Sequence, residues 1–232
     1  MIHGLVLAGG ESRRMGSDKS LIAIAGKPAY LHMAELLLKL CDAVYVSCRE
    51  EQGLFSGHEH AESNITAVFD RAEFHDKGPM TGILSYLYHV SVSQPLASGQ
   101  QPLGSDNPSL TLSKQPLDHD GPSHTLDSPM DSPFDANTDG LLIIGCDYRN
   151  MTEEALGKLV AVGQTQGRIC CYQNHITRFI EPLVAYYPKP ILMGLPEFAQ
   201  TNSSLRQFVE ANNPCILPTD NSTLEALKSF DF

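Results

Sequence analysis

The sequence opens on Ile2-His3-Gly4-Leu5-Val6-Leu7, a nearly continuous apolar run, and reaches Gly9-Gly10 one residue later. A strand without polar alternation has both faces covered, which implies a sheet carrying helices on either side. Paired glycines at its carboxyl end give a tight turn with accessible backbone, at the edge where open α/β sheets bind ligands. No other stretch constrains the chain as much.

The same alternation continues downstream. Pro28 is expected to open a helix at its first position, with Tyr30, Leu31, Ala34, Leu37 and Leu38 following at helical spacing. Strands are predicted over Ala43–Cys48 and 64–69, then a helix over 81–90 behind the Gly78-Pro79 turn. A further strand is predicted over 141–146, and a helix from Thr152, where Glu153 and Glu154 suit the positive end of the dipole. The second half reads as strands over 168–172 and 179–187 and helices over 203–211 and 222–229, each helix with a serine cap. The expected fold is α/β: a Rossmann-like three-layer α/β/α arrangement around a mostly parallel sheet with right-handed crossovers.

Residues 92–138 break the pattern. They hold seven of the fifteen prolines and six Asp against one Lys, with Phe134 as the one aromatic residue. Such a segment buries too little apolar surface to offset its ordering entropy, so a flexible insertion is expected within a single domain spanning 1–232. Asp118-His119-Asp120 within it has metal-ligand chemistry but lacks the rigid surroundings a metal site needs.

A net charge of −11 argues against nucleic acid and anionic membrane surfaces as partners. No apolar run approaches the roughly 18 residues of a membrane span. The first residues lack the cationic segment of a signal peptide. Six cysteines form no C-x-x-C pair and no zinc-finger pattern, and read as buried reduced thiols of a cytoplasmic protein.

Against that acidic background Arg13, Arg14 and Lys19 place three positive charges in seven residues, directly after the glycine pair. The spacing is neither Walker A, since Gly10 to Gly16 is one residue too long, nor G-x-G-x-x-G. Two readings stay open: a phosphate-binding loop, or a solvated turn with surface arginines. Asp147 closes the apolar run 141–146 and should emerge at the carboxyl edge of a central strand. A carboxylate there needs a partner, either a metal such as Mg²⁺ or a salt bridge or helix cap, for which Thr152 is better placed.

The stretch Leu7-Ala8-Gly9-Gly10-Glu11-Ser12-Arg13-Arg14-Met15-Gly16-Ser17-Asp18-Lys19 resembles the signature loop of the NTP-transferase superfamily, and within it the molybdenum cofactor guanylyltransferases. Gly26-Lys27-Pro28, Phe69-Asp70, Gly78-Pro79-Met80-Thr81-Gly82-Ile83, Gly145-Cys146-Asp147 and Glu181-Pro182-Leu183 are similar to further segments of that family. The resemblance implies a fold of the nucleotide-diphospho-sugar transferase type. It also implies transfer of GMP from GTP to molybdopterin, with pyrophosphate released and molybdopterin guanine dinucleotide formed. Leu7, Ala8, Gly9 and Gly10 would then hold the nucleotide through the main chain, and Asp70 would contact it. Arg14 and Lys19 would stabilise charge on the phosphates, and Asp147 would carry Mg²⁺. Transient contact with molybdoenzyme maturation proteins follows from the same likeness. The glycine pair and the Gly-Pro segment favour GTP over CTP within that likeness.

Three departures stand out: Tyr148-Arg149-Asn150 where the family carries a proline after the strand-end Asp, Ser47 where it carries an asparagine, and a blurred match over 219–225. They leave two competitors, a sugar-1-phosphate nucleotidylyltransferase and a GTP-binding protein without catalysis.

Overall fold

The computed structural model describes residues 1–10, 18–55, 64–92, 138–174 and 177–229. Arg13, Arg14, Asp118-His119-Asp120 and the expected insertion apart from its two end residues lie outside them.

The first strand, β1 (Ile2–Leu7), has Leu5 and Val6 completely buried, one on each face. The other strands are β2 (Ala23–Ile24), β3 (Lys27–Pro28), β4 (Ala43–Cys48), β5 (Ile65–Phe69), β6 (Gly140–Gly145), β7 (Cys170–Gln173), β8 (Ile180–Pro188) and β9 (Cys215–Leu217). Seven of these form one sheet in the order β5-β4-β1-β6-β8-β7-β9, while β2 and β3 form a separate hairpin. Along β1 the neighbours are parallel on both sides, with Leu7 in register with Ser47 of β4 and Gly145 of β6. From β1 the chain moves to β4 and β5 on one side and later returns to β6 on the other. A crevice opens at such a switch point, just beyond the carboxyl ends of β1 and β6.

β8 runs antiparallel to both β6 and β7. Its direction brings its first residues to the rim where β1 and β6 end, so Leu183 faces the crevice.

The helices are α1 (Ala29–Leu37), α2 (Met80–Val92), α3 (Glu153–Gln166), α4 (Lys189–Leu192), α5 (Leu195–Thr201), α6 (Leu205–Ala211) and α7 (Asn221–Ala226). They cover the sheet from both sides. Met33 and Leu37 of α1, Leu156 and Leu159 of α3 and Ala226 of α7 pack with Val6, Val46, Leu142 and Ile144. On the opposite face Ile83 and Leu87 of α2, Leu195 of α5 and Val209 of α6 pack with Leu5, Leu141 and Ile143. Each fully buried Leu or Ile here contributes about 1.5–3 kcal/mol relative to exposure. The three-layer α/β/α architecture follows.

At the end of the sheet away from the crevice, Nδ1 of buried His3 lies 2.6 Å from the hydroxyl of Tyr86 on α2. Its Nε2 lies 3.4 Å from Oγ1 of Thr138, which is also buried. Thr138 therefore belongs to the folded body, as does Val92, the last residue of α2. These are the two end residues of the expected 92–138 insertion, and the rest of it lies outside the described residues.

Local corrections concern the helix starts. Pro28 ends the hairpin, paired with Ala23, so α1 begins one residue later than expected. Ser204 caps α6, and Asp220, not Ser222, caps α7, its Oδ1 accepting from the Thr223 amide at 2.7 Å. The amide and hydroxyl donors of Thr223 and Ser222 hold the Asp220 carboxyl down at about 2. A charged acceptor outcompetes the serine hydroxyl for that role. Thr152 caps α3, as expected. All six cysteines are free thiols, five buried and Cys215 partly exposed. Among the described residues no helix is long and apolar enough to cross a membrane.

Candidate functional site

The crevice is a cleft of about 520 Å³. Its floor is the turn after β1, its walls are the ends of β4 and β5 and the start of α2, and its far side is the turn after β6. Leu7, Ala8, Gly9, Gly10, Lys19, Asp70 and Asp147, all singled out from the sequence, line it together.

The floor is shaped by two glycines with different reasons. A Cβ at Gly9 would be driven into the Asp70 carboxylate, so glycine is what lets β5 bring that acid against the loop. At Gly10 a Cβ would meet nothing within 4 Å among the described residues. Among the described residues neither glycine N–H is hydrogen-bonded, and free N–H groups at such a turn suit an anion. Ala8 differs: its N–H donates to the Ser47 carbonyl at 2.8 Å and its own carbonyl accepts from Gln52. Its main chain is already engaged within the protein.

Lys19 and Asp147 meet across the cleft, Nζ to Oδ2 at 3.4 Å. Both side chains are about a quarter exposed (29% and 24%), so solvent and ligands reach them. Asp147 leaves its Oδ1 unengaged among the described residues, close to Gly145. That is the pattern of a carboxylate able to accept a hard cation while the cation's other ligands come from phosphate and water. No cluster of three His, Cys, Asp or Glu with metal-site geometry occurs among the described residues. Thr152 takes the capping role, so Asp147 stays out of α3.

Asp70 is half-buried, and loss of solvent pushes its carboxyl above the usual carboxylate range, only partly offset by the Ser47 hydrogen bond and the charges of Arg49 and His75. Ser47 Oγ donates to Asp70 Oδ1 at 2.5 Å. The serine that stands in place of an asparagine is thus spent on orienting Asp70. Gly82 makes that contact fit, since a Cβ there would collide with Ser47 Oγ and Leu7.

Sequence reasoning missed three residues. Asp18 accepts from the Ser20 amide and hydroxyl at 2.9 and 2.7 Å through Oδ1. Burial raises its carboxyl, but the bonds from Ser20 and Gln52 outweigh that and hold it below its ordinary value. Asp-x-Ser is a recognisable turn-capping pattern that could have been read from sequence. Gln52, in a polar Glu50-Glu51-Gln52 turn, carried no such signal. Arg49 also lines the cleft, and its Nε is buried without a hydrogen-bond partner among the described residues. Tyr148, directly after Asp147, is buried and donates its hydroxyl to Glu181 Oε2 at 3.1 Å. Arg14 lies outside the described residues.

A family model described as a MobA-like NTP transferase domain matches residues 4–215. A molybdenum cofactor biosynthesis bifunctional protein from Synechocystis sp. is 43% identical over 86 residues, 37% of this chain and 23% of that protein. A probable molybdenum cofactor guanylyltransferase from Natronomonas pharaonis is 35% identical over 88 residues, 38% of this chain and 43% of its own length. The chain therefore spans less than half the length of these curated relatives. Among solved structures, molybdopterin-guanine dinucleotide biosynthesis protein A from Archaeoglobus fulgidus superposes with a TM-score of 0.61 at 16% identity, covering 98% of this chain and 91% of that one. At that identity the likeness speaks for the fold alone.

Proposed function

Because this chain belongs to the MobA-like NTP transferase family, we propose that it transfers GMP from GTP to the terminal phosphate of molybdopterin. A phosphate oxygen of the acceptor forms a bond to the α-phosphorus, the bond to the β-phosphate oxygen breaks, and pyrophosphate leaves with that electron pair. The product is molybdopterin guanine dinucleotide. The observation that carries this reading is the meeting of Lys19 and Asp147 at 3.4 Å, above a turn with free N–H groups at Gly9 and Gly10.

A phosphate acceptor needs no strong base, so the protein's work is positioning and charge neutralisation. Gly9 and Gly10 N–H groups receive phosphate oxygens, and Lys19 balances the charge that builds on the leaving pyrophosphate. Arg14 shares that task in the same reading. Leu7 and Ala8 form the wall for the nucleoside, and Asp70, oriented by Ser47, accepts from its N–H or O–H groups. Asp147 would hold Mg²⁺, which would supply positive charge to neutralise the phosphates. The same reading places the protein in the cytoplasm, in transient contact with molybdoenzyme maturation proteins.

Incubation with molybdopterin, GTP and Mg²⁺ tests the proposal through formation of the dinucleotide and stoichiometric pyrophosphate. Pyrophosphate release with a sugar 1-phosphate but not with molybdopterin would overturn it in favour of a sugar nucleotidylyltransferase. GTP binding with no release for any acceptor would leave a binding protein without catalysis.

A further inference from the structure

The side-chain amide of Gln52 touches both ends of the glycine loop. Its Nε2 donates to the Ala8 carbonyl at 3.0 Å and to Asp18 Oδ2 at 2.6 Å. Its Oε1 accepts from the Arg49 amide at 2.7 Å. These partners fix the orientation of the amide, because a flipped group would face an N–H with an NH₂ and two acceptors with an oxygen. Every polar atom of the side chain is used.

Ala8 and Asp18 are ten residues apart in sequence, and bringing such ends together carries an entropic cost. Gln52 comes from a different part of the chain, the short 3₁₀ turn Glu50–Gln52 behind β4. From Asp18 the connection continues. Its Oδ1 accepts from Ser20, the second residue of the 3₁₀ turn Lys19–Leu21, which Asp18 caps. Lys19 stands at the first position of that turn and meets Asp147.

We propose that Gln52 is a positioning residue for the triphosphate: it staples the two ends of the glycine loop and, through Asp18, sets where the Lys19 ammonium stands. This rests on the nucleotidyl-transfer reading of the cleft. Gln52 needs no contact with substrate for this role. Its other bond, to the Arg49 amide, caps its own turn, so the staple and the cap can be separated by mutation.

Gln52→Glu separates them. The introduced carboxylate still accepts from the Arg49 amide but turns an acceptor toward Asp18 and the Ala8 carbonyl. Adding Asp18→Asn restores a donor–acceptor pair in the reverse sense while leaving an oxygen for Ser20. Affinities for Mg·GTP and for GMP are measured in the wild type, Gln52→Ala, Gln52→Glu and the double variant. Hydrogen–deuterium exchange over residues 18–21 is measured in the nucleotide-free proteins, alongside thermal melts.

Gln52→Ala and Gln52→Glu are expected to lose about tenfold or more in GTP affinity, the effect of bonds to a charged group. GMP affinity changes by less than about twofold on the same scale. Exchange over 18–21 accelerates in both, and the double variant recovers exchange and GTP affinity together in part, because the link to residue 18 returns while the Ala8 carbonyl still lacks its donor. Wild-type exchange in Gln52→Glu would overturn the proposal, as would equal losses for GTP and GMP with a collapsed melt, or a double variant no better than Gln52→Glu. If the wild type binds no GTP, the nucleotidyl-transfer reading falls, and the exchange comparison still decides the staple.

Discussion

The ammonium of Lys19 stands 3.4 Å from Oδ2 of Asp147, although 128 residues separate them in sequence. One follows β1 and the other follows β6, and the two strands are parallel neighbours, so their ends share one rim. Both side chains remain partly exposed, and an exposed ion pair contributes only about 0–1 kcal/mol to folding. Lys19→Met and Asp147→Asn should therefore each lower the rate of pyrophosphate release by about 10²–10³, the scale for losing one electrostatic contact to a transition state. Melting temperatures should stay close to wild type. Pyrophosphate detection and a thermal melt on the same preparations check both halves.

Asp70 should behave in the opposite way toward stability. Burial raises its carboxyl in the folded state. The stability this group gives is thus fully present below its unfolded value, about 3.9, and is lost as pH rises through the raised folded value. Asp70→Asn removes the half-buried charge and should raise the melting temperature at pH 7 by about 2–4 °C per kcal/mol relieved. The gain should vanish toward pH 3, where the wild-type acid is also neutral, and nucleotide affinity should fall. Melts at pH 3 and pH 7 measure the sign directly.

Gly82 and Gly10 should respond differently to the same methyl group. A Cβ at Gly82 meets Ser47 and Leu7, whereas one at Gly10 meets nothing within 4 Å among the described residues. Gly82→Ala is expected to cost about 1–3 kcal/mol of stability, as overpacking does. Gly10→Ala should leave the denaturant midpoint unchanged.

Tyr86→Phe should destabilise the fold by about 1–3 kcal/mol, since it removes a buried hydroxyl and leaves His3 Nδ1 without that partner. Urea unfolding reads this as a lower midpoint with an unchanged slope.

Burial pushes the thiols of Cys41, Cys48, Cys146, Cys170 and Cys171 up to about 12. Thiolate, not thiol, is the reactive form. Alkylation of the native protein at pH 8 should therefore mark Cys215, the one partly exposed cysteine, and spare the other five. Mass spectrometry before and after denaturation checks the pattern.

The elements that were legible in the sequence are those with one dominant local signal. The apolar runs of β1 and β6 and the capped start of α3 lie where periodicity and cap chemistry put them. The reversal of β8 was not legible, because Ile180–Pro188 has the same composition whichever way it runs. α4 and α5 were not predicted; Pro190 and Pro196 sit in their first turns, where proline is tolerated. In the cleft, Lys19 was marked by the cationic cluster after the glycine pair, Asp147 by closing an apolar strand, and Asp70 by the family resemblance. Gln52 did not, because its importance lies in a neutral amide reaching two distant backbone segments, and a polar turn does not encode that reach. Ser47 carried a similar ambiguity until Asp70 was seen beside it.

The seam formed by His3, Tyr86 and Thr138 lies at the base of the sheet, a full strand length from Gly9. Val92, the last residue of α2, and Thr138, held against His3, are both found at that base. A group joined at either of these two residues is attached to the handle and not to the working edge. This makes the base the natural attachment point for a reporter or an affinity tag, with the chemistry at the opposite rim left undisturbed.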